Sequence, residues 1–246
     1  MITMENIIFG GYTWQCCMEG GRLIHPEQPW VWYNRKDVSI IDNKVLSMGC
    51  YRQPTTITYW DGREYDAQYG GGLLRSVGTF PYGTFSAEIM LPKGKGLWPA
   101  FWLCGEGPWP ESGEIDIMEG YTDNQCFRLT TPYFPWINPS WKTTTNVHYS
   151  KDGKHRQIGA RSVSVIKQPY QPQDNFIEYK AEWTPDKIVF LIDGKIVRTD
   201  TEAVSRFSRY DRRMRVIFDC LCQDPEEHKI SIEQPMYVRN FQYTPY

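Results

Sequence analysis

Gly113-Glu114-Ile115-Asp116-Ile117-Met118-Glu119-Gly120 sets three carboxylates among large apolar side chains, in a segment that otherwise reads as a β-strand. Successive side chains of a strand point to opposite faces, so Glu114 and Asp116 share one face while Ile115 and Ile117 face the other way, into a core. Glu119 lies three residues beyond Asp116 and falls on the wrong face of a regular strand. A one-residue bulge near Ile117 or Met118 restores it. Three acids then line one groove, where mutual repulsion and partial desolvation raise at least one pKa and favour shared protons.

A pair of carboxyl groups, one ionised and one protonated, is what glycoside hydrolysis requires. The ionised group attacks the anomeric carbon and the protonated one donates to the departing oxygen. Side chains from Glu114 and Glu119 that lean to about 5–5.5 Å would give a retaining double displacement, with Asp116 between them tuning the nucleophile. The bland alternative is an acidic edge strand with a solvated face, which is the commoner origin of an isolated Glu-x-Asp.

The flanking sequence separates the two readings. Tyr82 to Pro92 and Gly94 to Leu103 read as two strands joined by a Lys-Gly turn. With Gly113 to Glu119, this block resembles glycoside hydrolase family 16. The resemblance returns at Glu182 to Phe190 with Asp193-Gly194, and at Met236 to Phe241. It implies an all-β jelly roll of two antiparallel sheets with a concave glycan-binding cleft. It also implies Glu114 as nucleophile, Asp116 as its partner and Glu119 as acid/base. The Glu-x-Asp-x-x-Glu spacing matches the bulged branch of that family, with its laminarinases, agarases, porphyranases and carrageenases. Where laminarinase-like members carry an Asn-rich strand and a Gly-Gly-Trp-Pro segment, this chain has Asp219-Cys220-Leu221-Cys222-Gln223-Asp224-Pro225. The expected activity is therefore a retaining endo-β-glycanase acting on a β-1,3- or mixed-linkage β-glucan, with an endo-β-galactanase or a non-catalytic carbohydrate-binding jelly roll as alternatives. Hydrolysis and transglycosylation are not separable from residue types.

Composition bounds the remaining possibilities. The chain has 246 residues, 41% apolar and 23% charged, without a dividing linker, and reads as a single domain over 1–246. A formal net charge of −2 with dispersed Lys and Arg gives no footprint for nucleic acid. The basic run Arg206 to Arg215, broken by Phe207, Tyr210 and Asp211, reads as a solvated loop or short helix, its minority reading being an anion-binding patch. No apolar run approaches the roughly 18–20 residues of a membrane helix. The first residues lack the basic and apolar regions of a secretory signal, whereas relatives are mostly secreted, so localisation stays open. Seven cysteines is an odd count without paired Cys-x-x-Cys spacing, which favours buried free thiols over a disulfide framework. The chemistry needs no cofactor, no metal-ligand cluster is legible, and the expected partner of a monomeric chain is a polysaccharide.

Aromatics form 15% of the chain, including ten Trp, and each could serve a sandwich core as readily as a sugar. Trp98 and Trp102 sit four apart in a strand and share a face, which the resemblance places in the cleft. Trp109, in the loop before Glu114, is a third candidate. His148 resembles a strand histidine that laminarinase-like members carry near the acid/base, with a satisfied structural histidine as the alternative, while His25, His155 and His228 read as ordinary surface or loop residues. Gly70-Gly71-Gly72 and Lys93-Gly94-Lys95-Gly96 read as turns, and Pro26 to Trp32 and Pro132 to Trp141 as loops at the cleft rim.

Overall fold

Apolar residues recur at every second position of the longer strands, and that period builds the sandwich. In Ile177–Trp183 the residues Ile177, Tyr179, Ala181 and Trp183 are buried while Glu178, Lys180 and Glu182 are not. The computed structural model describes residues 5–25, 27–59, 62–122, 126–127, 140–158, 164–166, 172–202, 204 and 213–246, with 126–127, 140–142 and 164–166 as backbone only. Of the Pro132 to Trp141 stretch only the backbone of Ser140 and Trp141 is among them, opening the strand Ser140–Lys151. Residues 206–212 of the basic run also lie outside.

The back sheet runs in the order Lys195–Asp200, Ile188–Ile192, Ile177–Trp183, Gly83–Met90, Met236–Pro245, Val45–Met48, Val38–Ile41. The front sheet runs Asn6–Phe9, Tyr12–Gln15, Glu64–Ser76, Met214–Cys222, Leu97–Gly105, Glu114–Glu119, Ser140–Lys151, Cys126–Phe127. All these neighbours pair antiparallel, and the whole is the jelly-roll sandwich that the family resemblance implies. In the core between the sheets Phe218 stacks on Phe101 at 4.6 Å and packs against Trp14 and Phe241 at 5.6 and 5.7 Å. It takes Phe101 and Leu103 from one front strand and Val216, Phe218 and Cys220 from the next. The alternate residues of those strands are left facing outward, on the concave side.

Two local readings are corrected. Gly83–Met90 and Leu97–Gly105 are not a hairpin: they belong to opposite sheets, and Lys93–Lys95 between them is a short strand of its own paired with Ser231–Gln234. Gly70, Gly71 and Gly72 are not a turn but the middle of the strand Glu64–Ser76. Neighbouring chain crosses so closely there that an added Cβ would meet Asp37 Oδ2 at 2.6 Å, Leu221 Cδ2 at 2.6 Å and Asp37 O at 2.8 Å respectively. The same crossing turns the end of the Pro26 to Trp32 loop into the strand Val31–Tyr33, which pairs parallel with Tyr69 to Gly71.

Cys16, Cys17, Cys50, Cys104, Cys220 and Cys222 are free thiols. Among the described residues no helix is long and apolar enough to cross a membrane. Truncation of Phe218 to Ala removes the ring that joins both faces of the core. It is expected to cost about 3–5 kcal/mol of unfolding free energy in denaturant titrations; a loss below about 1 kcal/mol would show that this cluster does not hold the sheets together.

Candidate active site

Register converts the front strands into a grid of side chains. One row across the sheet runs Arg215, Cys104, Glu114, His148; the next runs Ile217, Trp102, Asp116, Asn146; a third runs Asp219, Ala100, Glu119, Thr144. Between Asp116 and Glu119 the register slips. Phe101 faces Met118 and Trp102 faces Asp116, which leaves Ile117 without a partner. From Glu114 to Glu119 the strand advances five residues, yet its neighbours advance only four, from Cys104 to Ala100 and from His148 to Thr144. An odd separation thereby becomes even, and all three carboxylates share the concave face. Ile117 and Met118 both turn into the core, at 1% and 0% exposure.

A cleft of about 730 Å³ lies over this grid, and Trp98, Trp102, Trp109, Glu114, Asp116, Glu119 and His148 all line it. Each indole donates to a carboxylate. Trp109 Nε1–H donates to Glu114 Oε2 at 3.0 Å, Trp98 Nε1–H to Glu119 Oε1 at 3.2 Å, and Trp102 Nε1–H to Asp219 Oδ2 at 2.7 Å. Trp109 reaches its partner from a loop closed by the Gly105 N–H bond to Gly113 O at 3.0 Å. Any side chain at Gly105 would collide with Ser112 O, 2.1 Å from an added Cβ. Tyr121 completes the surroundings of Glu119: its hydroxyl donates to Oε1 at 3.4 Å and its ring lies 5.4 Å from that of Trp98.

His148 Nε2 lies 3.2 Å from Asp116 Oδ2 and 3.7 Å from Glu114 Oε1. Its Nδ1 lies 2.8 Å from His155 Nε2, and the two rings are nearly parallel. This corrects the reading of His155 as an isolated surface residue. The hairpin joining Ser140–Lys151 to Lys154–Ile158 folds it back opposite the strand that carries His148, seven residues away. His155 also packs its ring 4.5 Å from that of Trp109.

Burial dominates the electrostatics. It pushes the Glu114 carboxyl up to about 8, with the Asp116 charge adding to the rise and His148 opposing it. Asp116 is raised by burial and by the charges of Glu119 and Asp219, and Glu119 by burial against the donors Trp98 and Tyr121. Asp219, 4% exposed, is pushed up to about 8 by burial although Trp102 favours its ionised form. Four carboxyl groups thus compete for protons in one desolvated cleft. Asp219 lies in the strand Met214–Cys222, an almost unbroken buried run in which only the alternation with Arg215, Ile217 and Leu221 marks it as facing the cleft. Glu114, Asp116 and His148 each offer one ligand atom, all within 4.8 Å of one another, so these three residues could hold a cation.

Fold and cleft together define a jelly-roll protein of the glycoside hydrolase type. The family model described as glycosyl hydrolases family 16 matches residues 27–218, and the chain belongs to that family. A β-glucanase of Rhodothermus marinus is 30% identical over 173 residues, covering 65% of this chain and 54% of that protein. The chain spans about half the length of the curated relatives it matches. Among solved structures, the endo-β-1,3-glucanase of Pyrococcus furiosus superposes with a TM-score of 0.61 at 22% identity, over 98% of this chain and 99% of that one. A family 16 protein of the Bacteroides ovatus mixed-linkage glucan locus, bound to a G4G4G3G product, gives 0.66 at 21% identity over 98% of both chains. At such identities the likeness shows the fold alone.

An acid whose pKa is higher folded than unfolded stabilises the fold fully below its unfolded value and loses that contribution as pH rises toward its folded value. For Glu114 and Asp219 the window opens near 4.5 and 3.8 and closes near 8. Glu114→Gln and Asp219→Asn are therefore expected to unfold at higher denaturant than the wild type at pH 8, by about 2 kcal/mol each, with the advantage vanishing by about pH 4. A gain independent of pH would show that burial of these acids is not its source.

Proposed function

We propose that the chain is a retaining endo-β-glycanase that hydrolyses internal β-linkages of a polysaccharide, with a β-1,3- or mixed-linkage β-glucan as substrate. The observation that carries this reading is the pair Glu114 and Glu119, brought to one face by the bulge, flanking buried Asp116, each held by an indole N–H. Family membership and the β-glucanase relatives support the same conclusion.

In the first step a Glu114 oxygen attacks the anomeric carbon, and Glu119 gives its proton to the departing sugar oxygen. Trp109 Nε1–H fixes the second oxygen of Glu114. Asp116, beside His148, hydrogen-bonds Glu114 and so orients and tunes the nucleophile. In the second step Glu119 takes a proton from water, which attacks the same carbon from the side the leaving group vacated, and the sugar departs with its configuration retained. The cleft lining extends on both sides of the carboxylate strand, from Arg75 and Ile217 to His148 and Gln157, as cleavage inside a chain requires. Trp98 and Trp102 have their edges engaged by carboxylates, so their faces are left for pyranose C–H surfaces. The unit acts as one domain and as a monomer.

A β-galactan is the second reading, because Asp219 to Pro225 departs from the segment that laminarinase-like members carry there.

Reducing-end release from laminarin, mixed-linkage glucan, xyloglucan, agarose, porphyran and carrageenan separates these readings. Glu114→Gln and Glu119→Gln are each expected to lower turnover about 10³-fold or more on whichever polymer is cleaved, with the fold intact by circular dichroism. Near-native turnover in either variant would sink the assigned roles. The pH–rate profile should be bell-shaped, with its acidic limb above the ordinary glutamate value of 4.5, because burial raises these groups; a flat profile from pH 4 to 8 would contradict paired carboxylates.

A further inference from the structure

An exposed histidine outside the cleft lining, His155, touches two of the residues that flank Glu114 inside it. The hairpin from Ser140–Lys151 to Lys154–Ile158 turns at Asp152 and Gly153, both at positive φ, 56° and 69°. Such a two-residue turn fixes the register of its strands. Here it pairs Ser150 with His155 and His148 with Gln157. His155 is therefore the diagonal neighbour of His148 on one sheet face, within reach of a ring. Its Nε2 lies 2.8 Å from His148 Nδ1, with the two rings 10° from parallel. The same ring lies 4.5 Å from that of Trp109, whose place in a loop leaves it 48% exposed.

The hydrogen bonds decide which nitrogen of His148 carries its hydrogen. Asn146 Oδ1 accepts the Val147 N–H at 3.0 Å, so the amide nitrogen is the group that lies 3.0 Å from His148 Nε2. An amide nitrogen only donates, which makes Nε2 an acceptor. The hydrogen of the neutral His148 ring then sits on Nδ1 and is donated to His155 Nε2. Nε2 is left facing Asp116 Oδ2 at 3.2 Å and Glu114 Oε1 at 3.7 Å. The other contact of His155 works on the other oxygen of Glu114. Trp109 Nε1–H holds Oε2 at 3.0 Å, and among the described residues the aromatic neighbours of that indole are His155 and His148.

We propose that His155 is a positioning residue for the nucleophile. By accepting the His148 Nδ1–H it fixes the tautomer and tilt of that ring, and by packing on Trp109 it keeps the indole N–H on Glu114. The proposal rests on the reading of Glu114 as nucleophile and adds the residue that sets both of its neighbours. His155 acts through His148 and Trp109 rather than on the sugar.

Three variants separate the two contacts. His155→Gln keeps an acceptor and loses the flat ring, His155→Phe keeps a ring and loses the acceptor, and His155→Ala loses both. On the polymer that the wild type cleaves, His155→Ala is expected to lower kcat about 10- to 100-fold with KM changed less than about three-fold, and Gln and Phe should each recover part of the loss. Long-range proton–nitrogen NMR of the histidine rings at about pH 8, above the ordinary imidazole value, reads the tautomer directly. His148 should carry its hydrogen on Nδ1 in the wild type and in His155→Gln, and lose that single form in His155→Phe and His155→Ala. Lys154→Gln, an exposed change in the same hairpin, should leave kcat and the ring spectrum as they are. A wild-type His148 with its hydrogen on Nε2, a kcat in His155→Ala within about two-fold of the wild type, or an equal fall in Lys154→Gln overturns the assignment. Full activity in Gln or Phe alone overturns the claim that both contacts position the nucleophile. If no polymer is cleaved, the hydrolase reading fails by itself, and the ring spectra of the wild type and His155→Phe still decide whether His155 sets His148.

Discussion

The pairing slip at Ile117 is the constraint on which the rest of the site depends. Without it Glu119 would share the face of Ile115 and Ile117 and point between the sheets, where an acid has no partner. With it, the strand keeps Ile115, Ile117 and Met118 in the core and returns Glu119 to the concave face. One unpaired residue therefore decides both the packing of the sandwich and the assembly of the carboxylates. The bulge sits between two well-paired neighbours, so the geometry is held from both sides.

What the bulge assembles would repel itself if left bare. Three of the four carboxyl groups in this desolvated cleft have a donor beside them: Trp109 for Glu114, Trp98 and Tyr121 for Glu119, and Trp102 for Asp219, while Asp116 lies 3.2 Å from His148 Nε2. The indoles serve the electrostatics and the apolar lining at once. Raised pKa values follow, and with them a fold that is less stable at alkaline pH than its core alone would make it. Strain of this kind at a site, offset by an aromatic core elsewhere, is the usual relation between function and stability.

Much of this was legible in the chain. The odd spacing of Glu-x-Asp-x-x-Glu, set against period-two apolar residues, required a bulge and so pointed to both the strand and its chemistry. Trp98 and Trp102 followed from their spacing of four. What was not legible depended on partners distant in sequence. Asp219 hides in a run whose other members are nearly all buried, and its meaning comes from Ala100 and Glu119 across the sheet. His155 acquires a role only when a hairpin folds it against His148. Gly70 to Gly72 look like a turn until the strand Val31–Tyr33 is laid beside them.

The central claim, that the bulge presents Glu114 as a nucleophile with Glu119 as its acid/base partner, is tested most directly by trapping the covalent intermediate. The protein is incubated with an activated 2-deoxy-2-fluoro glycoside of the oligosaccharide it cleaves, digested, and mapped by mass spectrometry. The account predicts one sugar adduct per chain, on the peptide containing Glu114 and at that residue. An adduct on Asp116 or Glu119, or turnover with inverted configuration and no adduct, would contradict it.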